Sequence, residues 1–253
     1  MDVVLLRFDA PLMSFGGVVV DQHNKTDPLP YRAMLAGLLA NALGLTRRDH
    51  AKLSALQARV RYAARRDRRG SLLVDYQTVD FDPQGSMASD LGWTTRGELE
   101  ERKGGEASDG THIRFRHYLA DAIVTVALAL DPPGEDPSLR AVSEALRAPA
   151  RPLFLGRKCC VPSGPVWLGE VVATSLRHAL ETTPRVGRGD EGPLAAVWPP
   201  GDGDDDPEAT RLWARVEDRD PANGIHVGRR MYVQGNVAPP PAVALSSRRQ
   251  EHA

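Results

Sequence analysis

Cysteine is nearly absent from this chain. Only Cys159 and Cys160 occur in 253 residues, and they are adjacent. Sequence neighbours rarely close a strain-free disulfide, and two thiols do not make a zinc site, so no disulfide framework is expected. Long apolar runs are also missing. No window reaches the roughly 18–20 residues of a membrane span, and Met1–Ser14 lacks the cationic start and apolar stretch of a signal peptide. A soluble, cytoplasmic protein without membrane contact is expected. Enzyme signatures are scarce as well: no Walker A run, GxGxxG after a strand or GxSxG elbow occurs. The seven histidines are scattered. His112 and His117 would not share a helix face, and the acids form no two-metal set, so no metal or cofactor is expected.

The net charge of −1 hides a pattern. Nine basic residues lie between Arg47 and Arg69 against Asp49 and Asp67, whereas from Glu181 onward nine basic residues face twelve acidic ones. One part of the molecule can therefore face a polyanion while another does not. The most informative stretch is Leu153–Gly169, LFLGRKCCVPSGPVWLG. Gly156 permits a sharp turn and lets another backbone approach where a Cβ would intrude. Arg157 and Lys158 place two cations at that apex, an arrangement suited to phosphate.

Hydrophobic periodicity predicts strands at Val3–Phe8, Val60–Arg65, Ser71–Val79, Asp121–Leu130 and Val166–Ala173. It predicts helices at Tyr31–Leu45, Asp49–Ala58 and Ser138–Ala148, with Thr46 and Asp49 as candidate caps. Alternation gives the strand Val60–Arg65 a basic outer face made by Arg59, Arg61 and Arg65. Gly37, inside the first helix, suggests close packing against a sheet. Phe81–Arg116 shows no periodicity and is too long for an ordinary connection. The order β-α-β, excursion, β-α-β predicts an α+β, ferredoxin-like domain over residues 1–180, with an insertion between its second and third strands. A small β-rich lobe is expected at 181–237, and a disordered tail at 238–253.

Such a sheet is the framework of RRM-type RNA binding, although the RNP aromatics are missing. The turn Ser14-Phe15-Gly16, the helix start at Tyr31-Arg32 and the Gly156 loop could together cradle phosphates and splayed bases. Metal-independent RNA cleavage needs only a base, an acid and a cation, and Tyr31, His117 and Lys158 are the available set.

Five ordered blocks carry a resemblance: RFDAPLMSFGG (Arg7–Gly17), PYRAMLAGLLANALGL (Pro30–Leu45), DYQTV (Asp75–Val79), RHYLADAIVTVAL (Arg116–Leu128) and FLGRKCCVPSGPVWLG (Phe154–Gly169). With RRMYV (Arg229–Val233) they are similar to the Cas-five family, RAMP-type subunits of type I-E CRISPR surveillance complexes. The resemblance implies a non-catalytic subunit that grips the 5′ handle of the CRISPR RNA and contacts target DNA only through the assembly. It implies handle contacts at Ser14, Phe15, Arg32, Arg157, Lys158 and Arg229. It also implies that Phe81–Arg116 is a thumb reaching a neighbouring backbone subunit, with Trp93, Arg96, His112 and Arg114 as candidate contacts, and that a large subunit is a further partner. In related type I-C systems the corresponding protein is the processing ribonuclease, which is the alternative here.

Overall fold

The computed structural model describes residues 1–17, 19, 21–80, 91–93, 99–101, 111–186, 192–203 and 210–240; at 78–80, 91–93, 99–101 and 111–112 only the backbone is described. Most of the expected thumb, residues 204–208 of the acidic stretch and the tail from 241 lie outside the described residues.

The chain opens with β1 (Asp2–Asp9), β2 (Leu12–Met13) and β3 (His23–Asn24), then α1 (Arg32–Ala42) and α2 (His50–Arg59). β4 (Val60–Arg68) and β5 (Ser71–Asp80) follow, then β6 (Leu91–Trp93), β7 (Leu99–Glu101), β8 (Thr111–Ala120) and β9 (Ile123–Leu130). The remainder is α3 (Leu139–Arg147), β10 (Trp167–Val172), α4 (Leu176–Thr182), β11 (Leu194–Trp198), β12 (Arg211–Arg219) and β13 (His226–Val237). Seven strands make one antiparallel sheet in the order β10-β1-β9-β4-β11-β13-β12. All eight residues of β9 are buried, which is the signature of a central strand covered on both faces.

One face of the sheet carries Leu6, Phe8, Tyr62, Val126 and Leu128, and it packs against Leu35, Leu38 and Leu39 of α1 and Val142 and Leu146 of α3. The opposite face is built for closeness. Ala63 sits beside Ala127 across the β4–β9 ladder, and Ala129 and Ala196 lie on the same face, so Leu176, Ala179 and Leu180 of α4 can settle on it. Helix starts follow local chemistry in two cases: the Ser138 and Ser175 side chains accept hydrogen bonds from Ala141 N (3.2 Å) and His178 N (3.0 Å).

Several sequence expectations change here. Asp49 occupies the N-cap of α2, but its carboxylate instead accepts from the Thr46 N–H and hydroxyl, each at 2.7 Å. The expected lobe at 181–237 contributes β11, β12 and β13 to the main sheet through the pairs Ala196–Arg65 and Val197–Ala64. The basic outer face of β4 is absent, because α4 covers that side. Arg65 is fully buried, and Arg59 donates to the carbonyls of Pro132 (2.6 Å from Nη2), Glu135 (3.1 Å) and Pro137 (3.2 Å). Arg61 alone of the three stays accessible, near Asp131 at 3.4 Å. The excursion also begins and ends in order: β5 and β8 pair from Ser71–Ala120 out to Asp80–Thr111.

Gly37 touches nothing. A Cβ built there meets no atom within 4 Å, so it packs against no sheet, and it lies exposed inside α1. Gly37→Ala is therefore expected to raise unfolding free energy by about 1 kcal/mol in urea melts, through lower backbone entropy of the unfolded chain. A loss of stability would show that this face of α1 is constrained.

Candidate nucleic-acid interface

The Gly156 loop is stitched into the fold from both sides. Leu155 N donates to Cys160 O (2.8 Å) and Cys160 N to Arg157 O (2.8 Å), closing the turn on itself. Ser14 N then donates to Leu155 O at 3.1 Å, tying the loop to the segment after β2. Gly156 has φ +108°, and a Cβ built there would stand 1.8 Å from the Ser14 carbonyl oxygen. Two backbones thus meet where only glycine fits, as the sequence suggested.

Arg157 acts as a bolt across this junction. Its Nη1 donates to His117 O on β8 and its Nη2 to Asn24 O on β3, both at 3.0 Å, while the guanidinium lies 4.7 Å over the Tyr118 ring. Both acceptors are neutral carbonyls, so neither offsets the guanidinium's charge. Lys158, next in the chain, is exposed and has no partner among the described residues. Ser14 is buried, and its hydroxyl donates to His117 O at 3.3 Å. Cys159 Sγ lies 3.5 Å from the Tyr118 hydroxyl, whereas Cys160 is buried and its thiol is pushed up to about 11 by burial and by Cys159.

The remaining expected handle contacts separate into two kinds. Phe15 is wholly buried, with its ring 6.0 Å from that of Phe8, so it is a core residue and presents no stacking face. Arg32 is also inside: its guanidinium pairs with Asp218 and donates to Ala58 O. Neither offers its side chain to a ligand in this structure. Arg229, on β13, is exposed and has no partner among the described residues. Among the thumb candidates, Arg114 is partly exposed and its Nη1 donates to Asp21 O at 3.4 Å. Trp93 pairs through its backbone with Leu99, and His112 with Val79, while Arg96 lies outside the described residues.

The proposed nuclease set is not assembled. No hydrogen bond, ion pair or ring contact joins Tyr31, His117 and Lys158 among the described residues. The Tyr31 ring instead lies 4.1 Å under the Arg215 guanidinium. His117 and Tyr118 are consecutive on β8, so their side chains leave opposite faces of the strand. Arg157 covers the Tyr118 face, while the His117 ring sits with that of His23, 6.0 Å away. No three-residue metal cluster occurs among the described residues, and no helix is long and apolar enough to cross a membrane.

Comparison with known proteins places this geometry. The sequence profile of the family described as CRISPR-associated protein (Cas5) matches residues 3–232. The chain belongs to this family. The CRISPR system Cascade subunit CasD of Escherichia coli strain K12 is 31% identical over 180 residues, which is 70% of this chain and 75% of that protein. A solved chain of a CRISPR RNA-guided surveillance complex superposes with TM-score 0.63 at 25% identity, covering 93% of this chain and 90% of its own. A crystal structure of a Cas protein gives TM-score 0.63 at 27% identity, covering 94% and 98%. The mixed α and β architecture, with its sheets and the four helices among the described residues, is thus shared with Cas structures.

What sequence reasoning missed in this Cas5 member is the support beneath the site. Glu217, on β12, accepts from Arg32 N and so caps α1 from 185 residues away. The same carboxylate takes the Tyr62 hydroxyl at 3.0 Å and lies 3.2 Å from Arg215, with Tyr232 alongside. Burial pushes Glu217 above the usual carboxylate range against the pull of Arg215, and it raises the Tyr62 and Tyr232 hydroxyls as well. The only sequence hint was an Arg-x-Glu alternation, which reads equally well as a solvated strand.

Proposed function

We propose that this chain is the Cas5 subunit of a CRISPR RNA-guided surveillance complex and grips the 5′ handle of the CRISPR RNA without cutting it. The observation that carries the reading is the Gly156 loop, a preordered turn whose cations have no acidic partner among the described residues. Arg157 is fixed by two carbonyls and one ring, so it presents charge without further ordering cost, and Lys158 reaches outward. The strand order β10-β1-β9-β4, with α1 and α3 on one face, supports reading residues 1–180 as a ferredoxin-like RAMP domain. The paired arms β5 and β8 support a thumb rooted there, directed at a neighbouring backbone subunit and carrying Trp93, Arg96, His112 and Arg114. Ser14, through its backbone, and Arg229 complete the handle contacts, with the large subunit and, through the assembly, target DNA as further partners.

The test incubates the purified full chain with labelled repeat RNA in EDTA and reads binding and cleavage together. Handle binding without cleavage is expected. Lys158→Ala should weaken binding several-fold and reduce the slope of log affinity against log salt by about 0.7, the single-strand value per phosphate contact. A single specific cut abolished by His117→Ala would establish the processing nuclease instead.

A further inference from the structure

The basic stretch from Arg59 to Arg69 contains six arginines, and the fold uses four of them internally. Arg59 holds the carbonyls after β9, Arg61 faces Asp131, Arg65 pairs with Asp67, and Arg68 Nε donates to Asp121 O. Arg66 and Arg69 remain, with no acidic partner among the described residues. Arg66 is partly buried on β4, and the charge that acts on it is that of Arg69, so burial and a like charge both pull its proton affinity down. Arg69 is exposed, and among the described residues the fold supplies neither arginine with an opposite charge to offset their repulsion. An anion placed beside them would offset the repulsion and supply the missing opposite charge.

The position is specific. A bulge at Arg66–Arg68 turns Asp67 toward Arg65 and leaves Arg66 on the face shared with Tyr62 and Ala64. There Arg66 lies opposite Val124, and Val124 lies opposite Phe8, giving one row across the end of the sheet. Phe8 packs on Phe15, which directly follows the Ser14 that the Gly156 loop rests on. Gly70 then turns the chain tightly against Ala120 and Ala122, which fixes the corner bearing Arg69. A buried row thus links the corner to Phe15, whose neighbour Ser14 meets the Gly156 loop.

We infer that Arg66 and Arg69 form a second phosphate subsite, so that a single-stranded RNA held at the Gly156 loop continues over residues 14–17 to this corner. The inference rests on the RNA-binding reading above and adds a direction and a length to it. Phosphate is the anion chosen over an acidic peptide because the corner extends the RNA site proposed above; guanidinium forks pair bidentately with phosphate as they do with carboxylate.

The test uses the full chain and two fluorescein-labelled single-stranded RNAs, one of about twelve nucleotides and one of about four, within the range of known single-strand site sizes. The Arg66→Gln, Arg69→Gln double variant should weaken the longer RNA about tenfold and lower its salt slope by about 1.4, two single-strand contacts. Binding of the shorter RNA, which the loop alone can hold, should stay within twofold. The Arg66→Lys, Arg69→Lys variant keeps the charge and should recover most of the slope, which separates lost contacts from misfolding. Unchanged binding of the longer RNA by the glutamine variant, while Lys158→Ala still weakens it, overturns the corner but not the handle reading. If the wild-type chain binds neither RNA, both fail together.

Discussion

Gly156→Ala is expected to destabilise the protein by at least about 3 kcal/mol and to abolish RNA binding at the loop. A methyl group would stand 1.8 Å from the Ser14 carbonyl oxygen, and the backbone there has φ +108°. A non-glycine residue in that region costs roughly 1–3 kcal/mol before any clash, and forced overpacking adds a similar amount. Neither partner can withdraw cheaply. Ser14 is anchored through its own N–H to Leu155 and through its hydroxyl to His117, and the loop is closed by the Leu155–Cys160 and Cys160–Arg157 hydrogen bonds. Urea unfolding measures the global cost, and hydrogen exchange at Ser14, Leu155 and Cys160 reports whether the loop opens first. A variant within 1 kcal/mol of wild type, with normal protection at those amides, would show that the loop is not wedged on Ser14.

Arg65→Met is expected to cost about 3–5 kcal/mol, because it strands a buried carboxylate. Asp67 is fully buried as a side chain, and Arg65 Nε is its ionic partner at 2.5 Å. Without the guanidinium, Asp67 keeps, among the described residues, Thr125 Oγ1 (2.7 Å) and Val186 N (2.9 Å). The α4 helix suffers as well, since Arg65 also holds the carbonyls of Leu180, Thr183 (2.7 Å) and Pro184 (3.2 Å) at its C-terminal end. Adding Asp67→Leu to Arg65→Met removes the stranded charge, so the double variant should be less unstable than the single one. Equilibrium unfolding of the two variants decides it. A single variant near wild-type stability, or a double variant whose losses simply add, would mean that the pair is not energetically coupled.

These two sites also mark what the sequence made readable. Gly156 was legible because a glycine between Leu155 and Arg157 has few uses apart from a turn, although the backbone it admits, Ser14, was visible only as another turn. β4 was legible from alternation and β9 from its unbroken apolar run, whereas β11, β12 and β13 were read only as a separate β-rich lobe. Arg65 was not, because an arginine alternating with valine, tyrosine and alanine reads as a solvent face. Its partners Leu180 and Thr183 lie more than a hundred residues away. Arg32 and Phe15 misled for the same reason: local pattern reports residue type, while burial is decided by which distant element arrives. The start of β8 was missed differently. Ile113, Phe115 and His117 alternate with Arg114 and Arg116, but the glycine-rich, acidic residues before them masked the period.

The cap that Glu217 places on α1 has a consequence for how the chain is made. During synthesis α1 leaves the ribosome well before β12, so the Arg32 N–H that Glu217 caps lacks that partner until most of the polypeptide exists. The same delay applies to the ionic partner of the Arg32 guanidinium, Asp218, which is equally distant. The first half of the protein is therefore born incomplete, and closing so long a loop is an entropic toll collected late. Until β12 docks, the partners that Glu217 and Asp218 supply to that half are missing, which puts its completion under the control of the last strands to emerge.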